Sequence, residues 1–175
     1  FRKNTSTIMA VTMVKETIFS YSAGNTCVFA SFLDMSKAFD RVNHFKLLQK
    51  LMSLGIPSYM IAILFNMYRN QNVYVTFNNC ISNVWKLGNG VRQGGIISPL
   101  LFNFYIDEVL NCVTTMNVGC KLGLKMNNIQ AYADDIVLLA PTASGLQILL
   151  NSVSNQLREL GLVLNADKST CMIFN

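Results

Sequence analysis

Three acidic residues carry the chemistry available to this sequence. Asp134 and Asp135 stand together between Tyr132-Ala133 and the apolar run Ile136 to Ala140. Both therefore sit at a tight turn joining two strands that are otherwise buried. Neighbouring carboxylates in such a setting repel one another and take up protons unless a cation compensates them. An ordinary Asp-Asp turn on a surface hairpin is the plain alternative. Asp34 closes another short apolar run, Val28, Phe29, Phe32 and Leu33. If the two strand ends lie side by side, the three carboxylates form one cluster. Hard divalent cations seek such oxygens. Magnesium takes one or two carboxylates and fills its remaining octahedral positions with water and substrate phosphates, the arrangement of phosphoryl and nucleotidyl transfer. Calcium is the weaker rival, because no Asp-x-Asp-x-Asp-Gly loop is present.

The elements that must position these acids follow from pattern and punctuation. Thr5 to Ser22 places Ile8, Val11, Met13, Val14, Ile18 and Tyr21 at helical spacing behind capping Thr and Ser, with a stop near Gly24. Cys27 to Met35 reads as a buried strand. Asn43 caps a helix to about Leu54, Gly55 stops it, and Pro57-Ser58 starts another through Tyr68. Gln71 to Phe77 and Ile81 to Leu87 read as paired strands around Asn78-Asn79, leading into the glycine-rich loop Gly88 to Gly95. Ser98-Pro99 opens a long core helix to about Met116. Lys121 to Lys125 and Ile129 to Tyr132 read as strands around Asn127-Asn128, with Ile136 to Ala140 another strand. Thr142 to Leu160 reads as a helix, and Leu162 to Asn175 as one or two short strands. Irregular alternation with several hairpins predicts an α+β fold built on a largely antiparallel sheet.

Composition narrows the class. Of 175 residues, 51% are hydrophobic and 13% charged, which argues against disorder and leaves some apolar surface to face other partners. The formal charge of +5 favours a polyanionic partner, a plain basic surface being the alternative. The five Cys show no CxxC pairing and only His44 could join them, so a zinc site is not expected and reduced, mostly buried thiols are. No signal core and no bilayer-length apolar run is present, which predicts an intracellular soluble protein. The abrupt start at Phe1-Arg2-Lys3-Asn4, with no initiator Met, reads as an internal fragment.

Four stretches carry a family resemblance in order along the chain. They are Phe32-Leu33-Asp34-Met35-Ser36-Lys37-Ala38-Phe39-Asp40, Gly90-Val91-Arg92-Gln93-Gly94-Gly95-Ile96-Ile97-Ser98-Pro99-Leu100-Leu101-Phe102, Tyr132-Ala133-Asp134-Asp135, and Gly161-Leu162 to Asn165-Ala166-Asp167-Lys168-Ser169. They resemble polymerase motifs A, B, C and D of the reverse transcriptases of non-LTR (LINE-type) retrotransposons. The resemblance implies a right-hand polymerase palm, an antiparallel sheet backed by helices, with part of the fingers. It implies RNA-directed DNA polymerase activity by two-metal catalysis, with Asp34 and Asp134 as principal ligands of two Mg2+ ions, Mn2+ being the substitute, and Asp135 and the Met35 carbonyl beside them. Phe39 stands where the family crowds the 2′-carbon of the incoming nucleotide and so disfavours ribonucleotides; a core Phe is the alternative. Gln93-Gly94 fits the nucleotide and template contact, and Arg92, Gly95 and Tyr132 are implied nucleic-acid contacts. Arg92 and Gly95 stand where many relatives carry Pro and Ser, and a plain loop is the alternative. Lys168 corresponds to a lysine proposed to protonate the leaving pyrophosphate; an exposed Lys is the alternative. Asp40 receives a structural hydrogen bond by default.

The implied organisation is one domain fragment over residues 1–175. Residues 1–26 form a lead-in helix at the fingers-palm border, 27–41 and 98–175 the palm, and 42–97 a fingers-like insertion, with upstream fingers and downstream thumb lying outside the chain. The implied partners are an RNA template, a DNA primer, deoxynucleoside triphosphates and the rest of the retrotransposon polyprotein, with no membrane, in the cytoplasm and nucleus of a eukaryotic host. The isolated residues are expected to polymerise little. The rival readings are a non-enzymatic relic or domesticated nucleic-acid-binding module, and another palm polymerase such as a group II intron maturase or a viral RNA polymerase.

Overall fold

Val28–Leu33, the apolar run that ends at Asp34, forms β1, one of the two inner strands of a four-stranded antiparallel sheet ordered β10-β1-β9-β8. The computed structural model describes residues 7–69 and 71–175. They fall into two compact units, Phe1–Ala38 with Ile106–Asn175, and Phe39–Tyr105. The sheet belongs to the first. Its other strands are β8 (Ile129–Tyr132), β9 (Asp135–Ala140) and β10 (Thr170–Phe174). Pairing of β1 with β9 runs from Phe29↔Ala140 to Leu33↔Ile136.

β1 is buried on both faces because helices cover both. On one face Val28, Ala30, Cys120 and Leu139 form a cluster packed by Val14, Ile18 and Tyr21 of α1 (Thr7–Ala23). Ile8 and Val11, predicted on the same apolar stripe, are exposed. The capping Thr5 and Ser6 lie outside the described residues. α5 (Ala143–Leu160) packs on β9 and β1 through Leu146, Leu149, Val153 and Leu157, capped by Thr142 and closed by Gly161 at φ 82, as its boundary residues predict. α4 (Ser98–Thr115) buries Ile106, Val109 and Val113 in this unit.

The hairpin expected around Asn127-Asn128 turns elsewhere. β6 (Lys121–Leu122) pairs with β7 (Lys125–Met126) around Gly123 at φ 61. Asn127 and Asn128 are buried instead. The Asn128 amide donates to the carbonyls of Val113 at 2.8 Å and Val118 at 2.9 Å, joining the α4 end to the sheet. A buried amide that satisfies two main-chain carbonyls is worth more there than in a solvated turn. Gly119 makes this approach workable: it has φ +107, and a Cβ would lie 2.4 Å from that of Asn128.

In the second unit α2 (His44–Ser53) starts on Asn43, whose side chain accepts from the Lys46 amide at 3.0 Å. α3 (Ser58–Arg69) packs on α2. The predicted pair of long strands is two short ladders, β2 (Asn72–Val73) with β5 (Trp85–Lys86) and β3 (Thr76–Phe77) with β4 (Cys80–Ile81). Between them the Val75 amide turns to the Ser82 hydroxyl at 2.9 Å. The expected turn is present, with Asn78 at φ 46 and Asn79 at φ 61. The cysteines are free, but Cys80, Cys112 and Cys171 are exposed rather than buried. Among the described residues no helix is long and apolar enough to cross a membrane.

Candidate active site

The register of the sheet sets the acids. One step beyond the last β1-β9 pair, Leu33↔Ile136, stand Asp34 and Asp135, and Asp135 is paired with Tyr132 across the β8-β9 hairpin. Strand alternation puts Asp34, Asp135 and Tyr132 on the face that carries Phe32 and Val137. Asp134 occupies the hairpin tip. The Asp135 carboxyl is held above the usual carboxylate range, first by burial and then by the charges of Asp134 and Asp34. Like charges opposite one another across strands destabilise a sheet edge.

The turn itself is strained. Ala133 has φ 55, whereas Asp134 is not in the left-handed region. Positive φ at the first central position alone is the pattern of a type II′ turn, where Gly is the usual occupant, and a Cβ there costs about 1 kcal/mol or more. On the other side of the acids, Lys37 has φ 50 in the turn after Asp34.

A segment that follows α5 holds Asp34 in place. The Asp34 amide donates to the Ser169 hydroxyl at 3.2 Å, and its carbonyl accepts from the Asn165 amide at 2.8 Å. Ser169 in turn donates to the Asn165 carbonyl at 2.7 Å. Met35 bridges Leu164, with the Ser36 amide reaching the Val163 carbonyl at 2.9 Å. The bonds of that bridge use Asp34 and Ser36, so the amide and carbonyl of Met35 point away from it. Ser169 and Asn165 belong to the last of the four motifs, and no periodicity or spacing marks them as the clasp of a residue far away in sequence.

A cavity of about 800 Å³ opens between α1 and this sheet face, with Val14, Ile18 and Phe32 on its walls and Asp34, Asp135 and Lys168 on its lining. Lys168 thus shares a cavity with two of the acids and is itself exposed. Gln130, another lining residue that pattern reading missed, donates to the Asn127 side-chain carbonyl. The expected three-carboxylate cluster is not assembled: among the described residues no three His, Cys, Asp or Glu form a chelating group. The strand ends meet as expected, but mutual repulsion gives the acids no reason to converge. The donors still suit a hard cation, being carboxylates whose charges oppose one another, and magnesium needs only one or two of them beside phosphate and water.

The remaining predicted residues lie in the second unit. Phe39 is half-buried and stacks on Phe102, with ring centroids 4.8 Å apart. Gln93 donates through Nε2 to Asp40 Oδ1 at 3.3 Å, which gives Asp40 its partner. The same loop is laced down by the Gly90 amide to the Val42 carbonyl at 2.8 Å and the Val91 amide to the Phe39 carbonyl at 2.9 Å. Gly90, at φ +98, lies so close that a Cβ would be 3.0 Å from Asp40 Cα. Arg92 and Gln93 are exposed, and Gly94 has φ 80 with open space around it. A Cβ on Gly95 would meet Ser98 Oγ at 2.6 Å.

Residues 1–173 match the family model described as Reverse transcriptase (RNA-dependent DNA polymerase). The chain is 36% identical over 149 residues to the Retrovirus-related Pol polyprotein from type-2 retrotransposable element R2DM of Drosophila melanogaster, a match covering 85% of this chain and 14% of that protein. It is 34% identical over 160 residues to the Pol polyprotein from type-1 retrotransposable element R2 of Nasonia vitripennis, covering 91% of this chain and 15% of that protein. The chain thus spans about a seventh of the length of these relatives. Among solved structures it is similar to telomerase from Candida Tropicalis in complex with a TWJ fragment of telomeric RNA. The TM-score is 0.72 at 12% identity, over 98% of this chain and 30% of that one. At that identity the likeness establishes the fold, and it agrees with the α+β palm and fingers architecture expected from the motifs.

Proposed function

The chain belongs to the reverse transcriptase (RNA-dependent DNA polymerase) family, and from that premise we propose that it supplies the catalytic centre of a retrotransposon RNA-directed DNA polymerase. The observation that carries this reading is the meeting of Asp34 and Asp135 on adjacent strand ends, with Asp134 next to Asp135 at the tip of the β8-β9 hairpin. Asp34 and Asp134 would hold two Mg2+ ions, with Asp135 and the Met35 carbonyl completing the donor set. When bound, the metals supply activation of the primer 3′-hydroxyl and neutralisation of the triphosphate.

The chain's own residues do the positioning. Tyr132, paired with Asp135, contributes to the nucleic-acid contact, and Lys168 offers a proton to the departing pyrophosphate from the cavity that it shares with the acids. Phe39, fixed by its stack on Phe102, is the ring that disfavours ribonucleotides. Gln93 and Gly94, with Arg92 and Gly95 beside them, form the loop that meets nucleotide and template. Residues 27–41 and 98–175 act as palm, 42–97 as a fingers-like insertion and 1–26 as a lead-in helix.

RNA template, DNA primer and deoxynucleoside triphosphates are the proposed substrates of the complete polypeptide. Because the chain spans about a seventh of its relatives, the 175 residues alone are expected to extend a primer weakly or not at all; robust extension by them would refute that. The central test is Asp134→Asn in the complete polypeptide. Primer extension on RNA should be abolished with RNA affinity nearly intact, and undiminished extension would sink the assignment.

A further inference from the structure

The positive charge of this chain is segregated. Phe39–Tyr105 contains Arg41, Lys46, Lys50, Arg69, Lys86 and Arg92 against the single acid Asp40, a net of +5 that equals the charge of the whole chain. The sheet-bearing unit is therefore formally neutral. Within the positive unit a groove of about 540 Å³ runs between α2, α3 and the loop at Gly88, and no carboxylate lines it.

The lining combines aromatic faces with polar edges. Phe45 is 75% exposed, an unusual state for a ring on a helix whose Leu47 and Leu51 are fully buried. Phe65 also lines the groove, and the Arg69 guanidinium carbon stands 5.4 Å from the centre of its ring. At that distance the guanidinium lies over the ring as a cation–π contact, which holds a positive charge beside an aromatic surface. Gln49 and Asn89 put side-chain amides on the lining, each able to donate and accept. His44 packs on Tyr68 with ring centroids 4.8 Å apart and planes tilted by 35°, and its Nε2 is committed to the Gly90 carbonyl at 2.6 Å, so the groove floor is fixed.

We propose that this groove binds an unpaired nucleotide of single-stranded RNA, with the base stacked on Phe45 and Phe65 and a phosphate on Arg69. The inference rests on the polymerase reading for its choice of RNA. Charge complementarity favours this occupant over another protein segment: Arg69 lines the groove with no carboxylate beside it there, in a unit whose net charge is +5. A base also uses both the ring faces and the amides, which an apolar peptide would strip of water without replacing their bonds. The volume suits a small ligand, within the usual range of about 300–1,000 Å³. A paired base would hide its faces from the rings, so duplex RNA gains nothing there beyond charge.

The test uses the complete polypeptide and a single-stranded RNA oligomer carrying 4-thiouridine, with a blunt RNA duplex as control. Ultraviolet crosslinking should map to peptides within residues 44–69. Phe45→Ala should weaken single-strand binding about tenfold or more, from the loss of one stacked base, with duplex binding unchanged. Arg69→Lys should keep the salt dependence yet weaken the single-strand affinity, because charge survives and the stacking plane does not. Phe45 is exposed, so its loss should leave the melting temperature unchanged. Unchanged affinity in both variants overturns the proposal. A lowered melting temperature with unchanged affinity also overturns it, by showing that another part of the polypeptide covers the groove. Failure here with Asp134→Asn still abolishing extension removes this inference alone. Extension that survives Asp134→Asn removes the polymerase reading, whatever the groove binds.

Discussion

Ser169→Ala in the complete polypeptide tests how the acid at the end of β1 is held. The Ser169 hydroxyl accepts from the Asp34 amide at 3.2 Å and donates to the Asn165 carbonyl at 2.7 Å, so one oxygen joins the carboxylate-bearing strand end to the segment that carries Lys168. Each such bond contributes about 0.5–1.5 kcal/mol net. The residue is half-buried and water can replace part of what is lost, which sets the loss at about 1–2 kcal/mol for the pair. That is too little to unfold the sheet, since five β1-β10 pairs and five β1-β9 pairs remain. It is enough to loosen Asp34 against its neighbours, and under the metal-ligand role proposed for Asp34 a displacement of about 1 Å can cost about 100-fold in rate. Steady-state primer extension should therefore show kcat lowered about tenfold, with a small drop in melting temperature and little change in nucleotide KM. Ser169→Thr keeps the hydroxyl and should recover most of the rate. Wild-type kcat in Ser169→Ala, or no recovery in Ser169→Thr, would refute the clasp.

Two other perturbations probe the same unit. Asn128→Leu keeps the buried volume but removes the donors to Val113 and Val118, and relieves a buried Oδ1 that has no partner. The net cost should be about 2–3 kcal/mol, seen as a melting temperature about 5–10 °C lower; a wild-type melt would show the staple to be unnecessary. Asp135→Asn addresses charge. The folded chain raises the Asp135 carboxyl above its ordinary 3.8 and so binds its proton more tightly than the unfolded chain. Stability should consequently fall as pH rises from 3.8 through the raised value, and Asp135→Asn should flatten that fall and melt higher at neutral pH. Thermal melts across pH decide it, and a variant with the same slope as the parent would count against a raised Asp135 carboxyl.

The contrast between what was and was not legible in the sequence follows the range of the interactions. Asn43, Thr142 and Gly161 mark helix boundaries by bonds made within a turn of themselves, and all stand where the sequence puts them. Asn78-Asn79 likewise fixes its own turn. Asn127-Asn128 has the same composition and a different fate, because the carbonyls it satisfies belong to Met13, Val113 and Val118, which no local pattern reveals. Asp34, Asp134 and Asp135 were legible as polar ends of apolar runs, and the register delivered two of them to adjacent positions. Ser169 was invisible as a clasp, since its partner Asp34 is 135 positions away.

Local preference is violated in a patterned way. Of the non-glycine residues with positive φ, Asn25, Asn78 and Asn79 are of the type that tolerates it, whereas Lys37 and Ala133 are not. Those two exceptions flank the acids, one in the turn after Asp34 and the other in the turn that presents Asp134. The acids are themselves an exception, since the Asp135 carboxyl is raised first by burial and then by the charges of Asp134 and Asp34. Each feature costs stability, and none improves the packing of the core that the sheet forms with α1 and α5. A sequence shaped for stability alone would place Gly at 133 and separate the carboxylates. Their coincidence at one sheet end fits the proposed metal-binding role, under which bound cations would relieve the repulsion between the carboxylates, while the backbone strain at Lys37 and Ala133 is carried by the structure around them.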